Sequence, residues 1–270
     1  MTLLKTVCLL VLCSFFNACS SETPMEEPPI QEASLREEVK KTEMPGDTFA
    51  LSYVMGKFNP AEHPAFVVID TKYADRAGLY LHQATYDAFK KMHTAAAAAG
   101  VNLVIRSATR NFASQKGIWE AKWNGTRILS NGKNAKEAYP NPKDRALKIL
   151  EYSSMPSTSR HHWGTDIDLN NFNNKWFESG EGLKIYNWLQ ANAAEYGFCQ
   201  PYTAKDTERP NGYNEERWHW SYMPIAKTLT AQAKKELTDS MIEGFLGAES
   251  AQEINVVTNY VLGISQSCQP

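Results

Sequence analysis

Ser159-Arg160-His161-His162-Trp163-Gly164-Thr165-Asp166-Ile167-Asp168 gathers two imidazoles, a glycine and two carboxylates in one short run. Six residues separate His161 from Asp168, and Ile167-Asp168-Leu169 alternates as a strand does, with the aspartate on one side. Gly164 lets the chain turn, so that His161 can fold back over a carboxylate held on that strand. About fifty residues later stands the complement, Glu216-Arg217-Trp218-His219-Trp220. A catalytic zinc site takes three protein ligands and keeps one position open, and His161, Asp168 and His219 supply such a set. Glu216 is left over as a base. In extended backbone Glu216 and Trp218 share one side and His219 takes the other, so a bend between them is required to bring both groups to one ion. The tryptophans beside His219 would wall the pocket and exclude bulk water.

The surrounding chain reads as a mixture of helices and strands. Residues 65–70 form a short apolar run suited to a buried strand, after a turn around Pro60 and Pro64. Residues 81–99 carry Tyr86, Phe89 and Met92 at helical spacing, with Gly100 as the stop. A strand over 101–105, a helix over 111–123, a polar loop over 124–142 and a short helix over 143–152 follow. Ile185, Trp188, Leu189 and Ala193 stripe a helix over 182–196, ended by Gly197. Strands are predicted over 198–202 and 217–222, and helices over 228–263, broken around Gly244 and Gly247. Without regular βα alternation or internal repeats, the order predicts an α+β fold, with a small, mainly antiparallel sheet flanked by helices and added C-terminal helices.

At the N-terminus, Lys5 and the apolar run 7–16 have the form of an export signal too short to span a bilayer. Ala18-Cys19 ends it, which resembles a bacterial lipoprotein signal in which Cys19 becomes the lipidated N-terminus; an ordinary signal peptide cleaved near Ala18 is the other reading. Either way the expected location is outside the cytoplasm, lipid-anchored to the cell envelope and facing the periplasm in the first case. The expected organisation is a signal over 1–18, an acidic Pro-rich tether over 19–47, a catalytic domain over 48–225 and a C-terminal helical extension over 226–270. Seven glutamates and Pro24, Pro28, Pro29 and Pro45 leave the tether too little apolar surface to fold. Cys199 and Cys268 then remain, and in an oxidising compartment they stand either as a disulfide or as two buried thiols. A net charge of -2 supplies no basic field, so nucleic acid is not an expected partner.

Ser159-x-His161-x-x-Gly164-x-x-x-Asp168 followed by Glu216-x-Trp218-His219 resembles the VanY-type D-alanyl-D-alanine carboxypeptidases, in the wider group with lysostaphin-type enzymes and the hedgehog signalling domain. Upstream, Ser107-Ala108-Thr109-Arg110-Asn111-Phe112-Ala113-Ser114-Gln115 is similar to that family's Ser-Gly-Tyr-Arg-Ser-x-x-x-Gln segment. The resemblance implies Zn2+ held by His161, Asp168 and His219, Glu216 as general base, and Arg110 as the group that meets the oxyanion or grips the substrate. It also implies substrate contacts from Ser159 and Gln115, with Trp218 lining the pocket. The implied activity is removal of the terminal D-alanine from peptidoglycan stem peptides. A D,D-dipeptidase, an L,D-carboxypeptidase or a cross-link endopeptidase would use the same residues, and a non-catalytic wall-binding module is the reading outside enzymes. On residue type alone, Arg110 reads as well as a surface ion pair and Gln115 as a solvated helix face. Four positions depart from the family pattern: Ala108-Thr109 for Gly-Tyr, Asp166 for an alanine, and Ser221 for an arginine. Asp166 reads either as a partner orienting a ligand histidine or as a solvent-facing strand residue.

Overall fold

The structure, a computed structural model, describes residues 49–270, so the signal, Cys19 and the tether lie outside the described residues. The helices are α1 (Leu51–Val54), α2 (Gln83–Ala98), α3 (Phe112–Trp123), α4 (Ala135–Ala138), α5 (Pro142–Ile149), α6 (Gly180–Asn192), α7 (Met223–Glu236) and α8 (Ser250–Ile254). The strands are β1 (Phe66–Val68), β2 (Tyr80–His82), β3 (Ile105–Ser107), β4 (Asp166–Leu169), β5 (Phe198–Cys199) and β6 (His219–Tyr222). Strands β1 and β2 pair as a small antiparallel ribbon, and the other four form an antiparallel sheet in the order β3-β4-β6-β5. The fold is therefore α+β with small antiparallel sheets flanked by helices.

Alternation along β4 decides what each face of the sheet does. Ile167 and Leu169 point into an apolar core that includes Phe89 and Met92 of α2, Ile185 and Leu189 of α6, and Trp220. Asp166 and Asp168 take the opposite face. Phe89 is fully buried there, a burial that stabilises the packing of α2 by roughly 2 kcal/mol. A second core joins Trp119 and Trp123 of α3 to Ile149, Met155 and Trp163, and to Leu229 and Ala233 of α7. The run 159–168 thus crosses from one core, through Trp163, to the other, through Ile167.

Several boundaries differ from the sequence expectation. Val101 to Val104 are not in a ladder, and β3 starts at Ile105 because that residue is the first to meet β4, opposite Leu169. The strand expected over 217–222 begins only at His219, since Arg217 and Trp218 form a turn closed by the His219 N–H donating to the Glu216 carbonyl. That over 198–202 shortens to β5. Ribbon strand β2 takes up the first residues of the helix expected over 81–99, and α4 lies inside the loop expected over 124–142. The expected boundary at 225/226 falls within α7, whose Leu229 and Ala233 share one core with Trp119.

Candidate metal centre and its carboxylates

Pairing of β4 with β6 sets Asp168 directly opposite His219 and Asp166 opposite Ser221. The third ligand candidate arrives through a 3-10 turn, Arg160–Trp163, which ends at Gly164 with φ +71. A Cβ at Gly164 would lie 2.4 Å from the Phe66 ring, so both conformation and space demand glycine there. The turn carries His161 back over β4. There its Nε2 stands 3.3 Å from Asp168 Oδ2, while His219 Nδ1 stands 3.2 Å from Asp168 Oδ1. Both imidazole rings and the carboxylate are buried.

Hydrogen bonds behind the rings select their tautomers. His161 Nδ1 donates to the Ala108 carbonyl at 2.9 Å, which leaves Nε2 as the free lone pair. His219 Nε2 donates to Asp166 Oδ2 at 2.8 Å, which leaves Nδ1 facing Asp168. Burial, with Arg110 nearby, holds His161 below the usual histidine range, as a neutral ligand requires. Burial opposes a charge on His219 as well, yet the carboxylates of Asp166, Asp168 and Glu216 around it outweigh burial and raise the ring well above that range. A metal ion bound at Nδ1 would take the place of the proton that these carboxylates hold there.

The donor set fits a metal ion. His161, Asp168 and His219 offer ligand atoms that all lie within 4.8 Å of one another. His161 Nε2 and Asp168 Oδ1 are buried without a hydrogen-bond partner. Tetrahedral zinc with bonds near 2.0–2.1 Å has ligand-to-ligand edges of about 3.3 Å, so three donor atoms already within 4.8 Å of one another need only small side-chain adjustments to share one ion. His162 is not part of the set: its Nδ1 donates to the Arg110 carbonyl and its Nε2 accepts from the Ser157 N–H at 3.1 Å, and burial lowers its pKa to about 3.

The bend required before His219 is the turn at Arg217 and Trp218. It brings Glu216 Oε2 to 3.2 Å from His219 Nδ1. Burial raises the Glu216 carboxyl above its ordinary value, with the proximity of Asp168 adding to this and His219 opposing it. Arg110 comes from the loop after β3. Its Nε donates to Gln115 Oε1 at 2.9 Å and one terminal nitrogen reaches Ser107 Oγ at 2.6 Å and Asp168 Oδ2 at 3.4 Å. The other terminal nitrogen makes no hydrogen bond among the described residues, so the fork is aimed with one arm spare.

Gln115 differs from its expected role. It is fully buried, and its amide is used inside the protein, on Arg110 and on the Ser154 carbonyl at 2.8 Å. Its action on a substrate would run through the guanidinium it orients. Ser159 Oγ is buried and without a partner, and Trp218 packs between Tyr152 and Phe172.

Asp166 is not solvent-facing. It is fully buried, and Arg160 Nε reaches its Oδ2 at 3.2 Å. Arg160 also donates to Ser221 Oγ and to Thr230 Oγ1 of α7, each at 2.8 Å, while Ser221 and Thr165 donate to Asp166 Oδ1. Burial alone would raise the Asp166 carboxyl, but Arg160 and His219 hold it far below the carboxylate range. Tyr202 completes the wall, its ring edge-on to His219 at 4.7 Å. Sequence reading missed Arg160 and Tyr202; the one signal for Arg160 was an arginine missing at 221 beside an unmatched aspartate at 166.

Residues 78–225 match the family described as VanY: D-alanyl-D-alanine carboxypeptidase, over more than half of the chain. The chain belongs to the VanY family. Among relatives of this VanY-family chain, "Putative carboxypeptidase YodJ" of Bacillus subtilis (strain 168) is 25% identical over 217 residues, 77% of this chain and 71% of that protein. A Haemophilus influenzae protein without an assigned activity is 28% identical over 111 residues, 35% of this chain and 82% of its own. Similar solved structures include the LdcB LD-carboxypeptidase, at 21% identity and a TM-score of 0.46 over 74% of this chain and 81% of that one. Another is VanYB in complex with D-alanine-D-alanine, at 22% identity and a TM-score of 0.44 over 65% and 87%.

Proposed function

We propose that this VanY-family chain is a zinc-dependent carboxypeptidase that hydrolyses the terminal D-alanine from peptidoglycan stem peptides, working outside the cytoplasm from a lipid anchor at Cys19. The observation that carries the reading is Glu216: a buried carboxyl of raised pKa, 3.2 Å from the metal-facing nitrogen of His219, with the spare arm of Arg110 on hand. Two histidines and one aspartate form the ligand class used by zinc hydrolases. His161, Asp168 and His219 would hold the ion, which when bound supplies a Lewis acid for the scissile carbonyl and makes water a nucleophile near neutral pH.

The remaining chemistry belongs to the chain. Glu216 accepts the proton of the attacking water and returns it to the departing amine, a task suited to a carboxyl tuned upward by burial. Arg110, fixed by Gln115 and Ser107, donates its free arm to the oxyanion as charge develops there. Ala108 and Asp166 keep the two ligand rings from rotating.

The test is digestion of purified muropeptides by the zinc-loaded protein, read by mass spectrometry. Loss of one alanine from pentapeptide is expected. Loss from tetrapeptide, loss of a dipeptide, or cleavage of dimers would replace the proposal with the corresponding relative. Glu216→Ala is expected to retain metal by elemental analysis and to lose at least about 100-fold in kcat; full activity would remove Glu216 from the mechanism.

A further inference from the structure

Helix α3 buries one face, formed by Gln115, Trp119, Lys122 and Trp123. Three of these fit a core, and Lys122 does not. It is only 9% exposed, its ammonium donates to the neutral Ser153 hydroxyl, and no carboxylate pairs with it among the described residues. Burying an ammonium without a counter-ion is costly. Burial, with Arg127 and Arg110 adding to it and Glu216 opposing, lowers its pKa to about 8, so it stays mostly charged at neutral pH.

Its position links it to the metal centre. Lys122 and Gln115 lie two turns apart on one helix face, and they hold consecutive residues: Lys122 bonds Ser153, and Gln115 bonds the Ser154 carbonyl. Gln115 in turn orients Arg110, and Lys122 interacts electrostatically with both Arg110 and Glu216. The segment that follows is buried throughout and carries two hydroxyls without partners, Ser157 and Ser159. In the last residue of a peptide, the amine that leaves and the terminal carboxylate sit on the same α-carbon. A cation that reads the carboxylate must therefore stand close to the base that protonates the amine.

We propose that Lys122, seated on Ser153, is the binding site for the free C-terminal carboxylate of the peptide, so that the missing counter-ion arrives with the substrate. The site would select peptides ending at the cleaved residue and disfavour internal bonds, which offer a neutral amide there. This inference rests on the peptidase reading above, and its test is made on binding so that the two can fail separately.

The zinc-loaded Glu216→Ala protein is titrated calorimetrically with N-acetyl-L-Lys-D-Ala-D-Ala and with its C-terminal amide. The acid is expected to bind at least tenfold more tightly than the amide, and adding Lys122→Met is expected to bring that preference to threefold or less. Because the variant removes an unpaired buried charge, it is also expected to melt at or above the temperature of its parent. A preference that survives Lys122→Met, an acid and amide that bind alike before it, or failure of the acid to bind overturns the proposal. So does a Lys122→Met protein that melts well below its parent, since Lys122 would then be a structural tie. An acid preference that depends on Lys122 in a protein that cleaves no muropeptide would keep the subsite and sink the peptidase reading alone.

Discussion

Asp166 shows how much one side chain can carry at this site. Its carboxylate accepts from His219, is matched by the Arg160 guanidinium, and is closed off by Ser221 and Thr165. Ser221 stands where the family resemblance leads one to expect an arginine, and the Arg160 guanidinium donates to its hydroxyl. Asp166→Asn keeps the shape but allows the amide to present a donor to His219 and leaves Arg160 without its counter-charge. Zinc affinity is expected to fall about 10–100-fold, measured by competition with a chromogenic chelator. Stability is expected to fall by about 3 kcal/mol in urea, the cost of an unpaired buried charge. Adding Arg160→Met should recover the stability and not the affinity; recovery of both would make Asp166 a packing residue. Glu216 governs the pH profile. A base must be deprotonated to act, so kcat/KM should rise with pH through the Glu216 pKa, and burial places that limb above 4.5, the ordinary glutamate value. An acid limb at or below that value would assign the base elsewhere.

Among the elements, the turn at Arg160–Trp163 and strands β4 and β6 build the centre, and they were not equally legible in the sequence. His161, Asp168, Glu216 and His219 stand out because residue type and spacing carry their chemistry. What spacing cannot say is which residues come from elsewhere to meet them. The contact of Arg160 with Thr230 needs α7 folded onto the sheet, and Asp166 could be read either way until the register set it opposite Ser221. Strands of two to four residues hold too few periods to be bounded by pattern, so β2 and β5 are defined by partners rather than by their own residues. Gly164 is the element-scale test. Alanine there would adopt φ +71 at a cost of about 1–2 kcal/mol, before its Cβ meets the Phe66 ring and the His82 amide. Gly164→Ala is expected to lose on the order of 3 kcal/mol in urea and to weaken metal binding through displacement of His161. A loss below about 1 kcal/mol would show that the turn tolerates a side chain.

At the scale of the molecule, the C-terminal segment and the sheet form one cooperative body. Cys268 is bonded to Cys199 on β5, across 69 residues of sequence and with Cα atoms 5.9 Å apart. Between those two cysteines the chain contributes Tyr202, Glu216 and His219 to the centre and Thr230 to the Arg160 network. A bond closing a loop of that length removes unfolded-state freedom worth about 4 kcal/mol. The bond touches no group that handles a proton, so its effect should run through stability and through the holding of β5 beside β6. Replacing both cysteines by serine is expected to lower the urea midpoint by the equivalent of about 2–4 kcal/mol, while kcat at 25 °C changes by less than about threefold. Reduction of the unmodified protein should reproduce that shift, and the serine variant should not respond to reductant. If kcat collapsed while stability held, the bond would be acting on the centre's geometry through β5 and β6, and the tail would count as part of the active site.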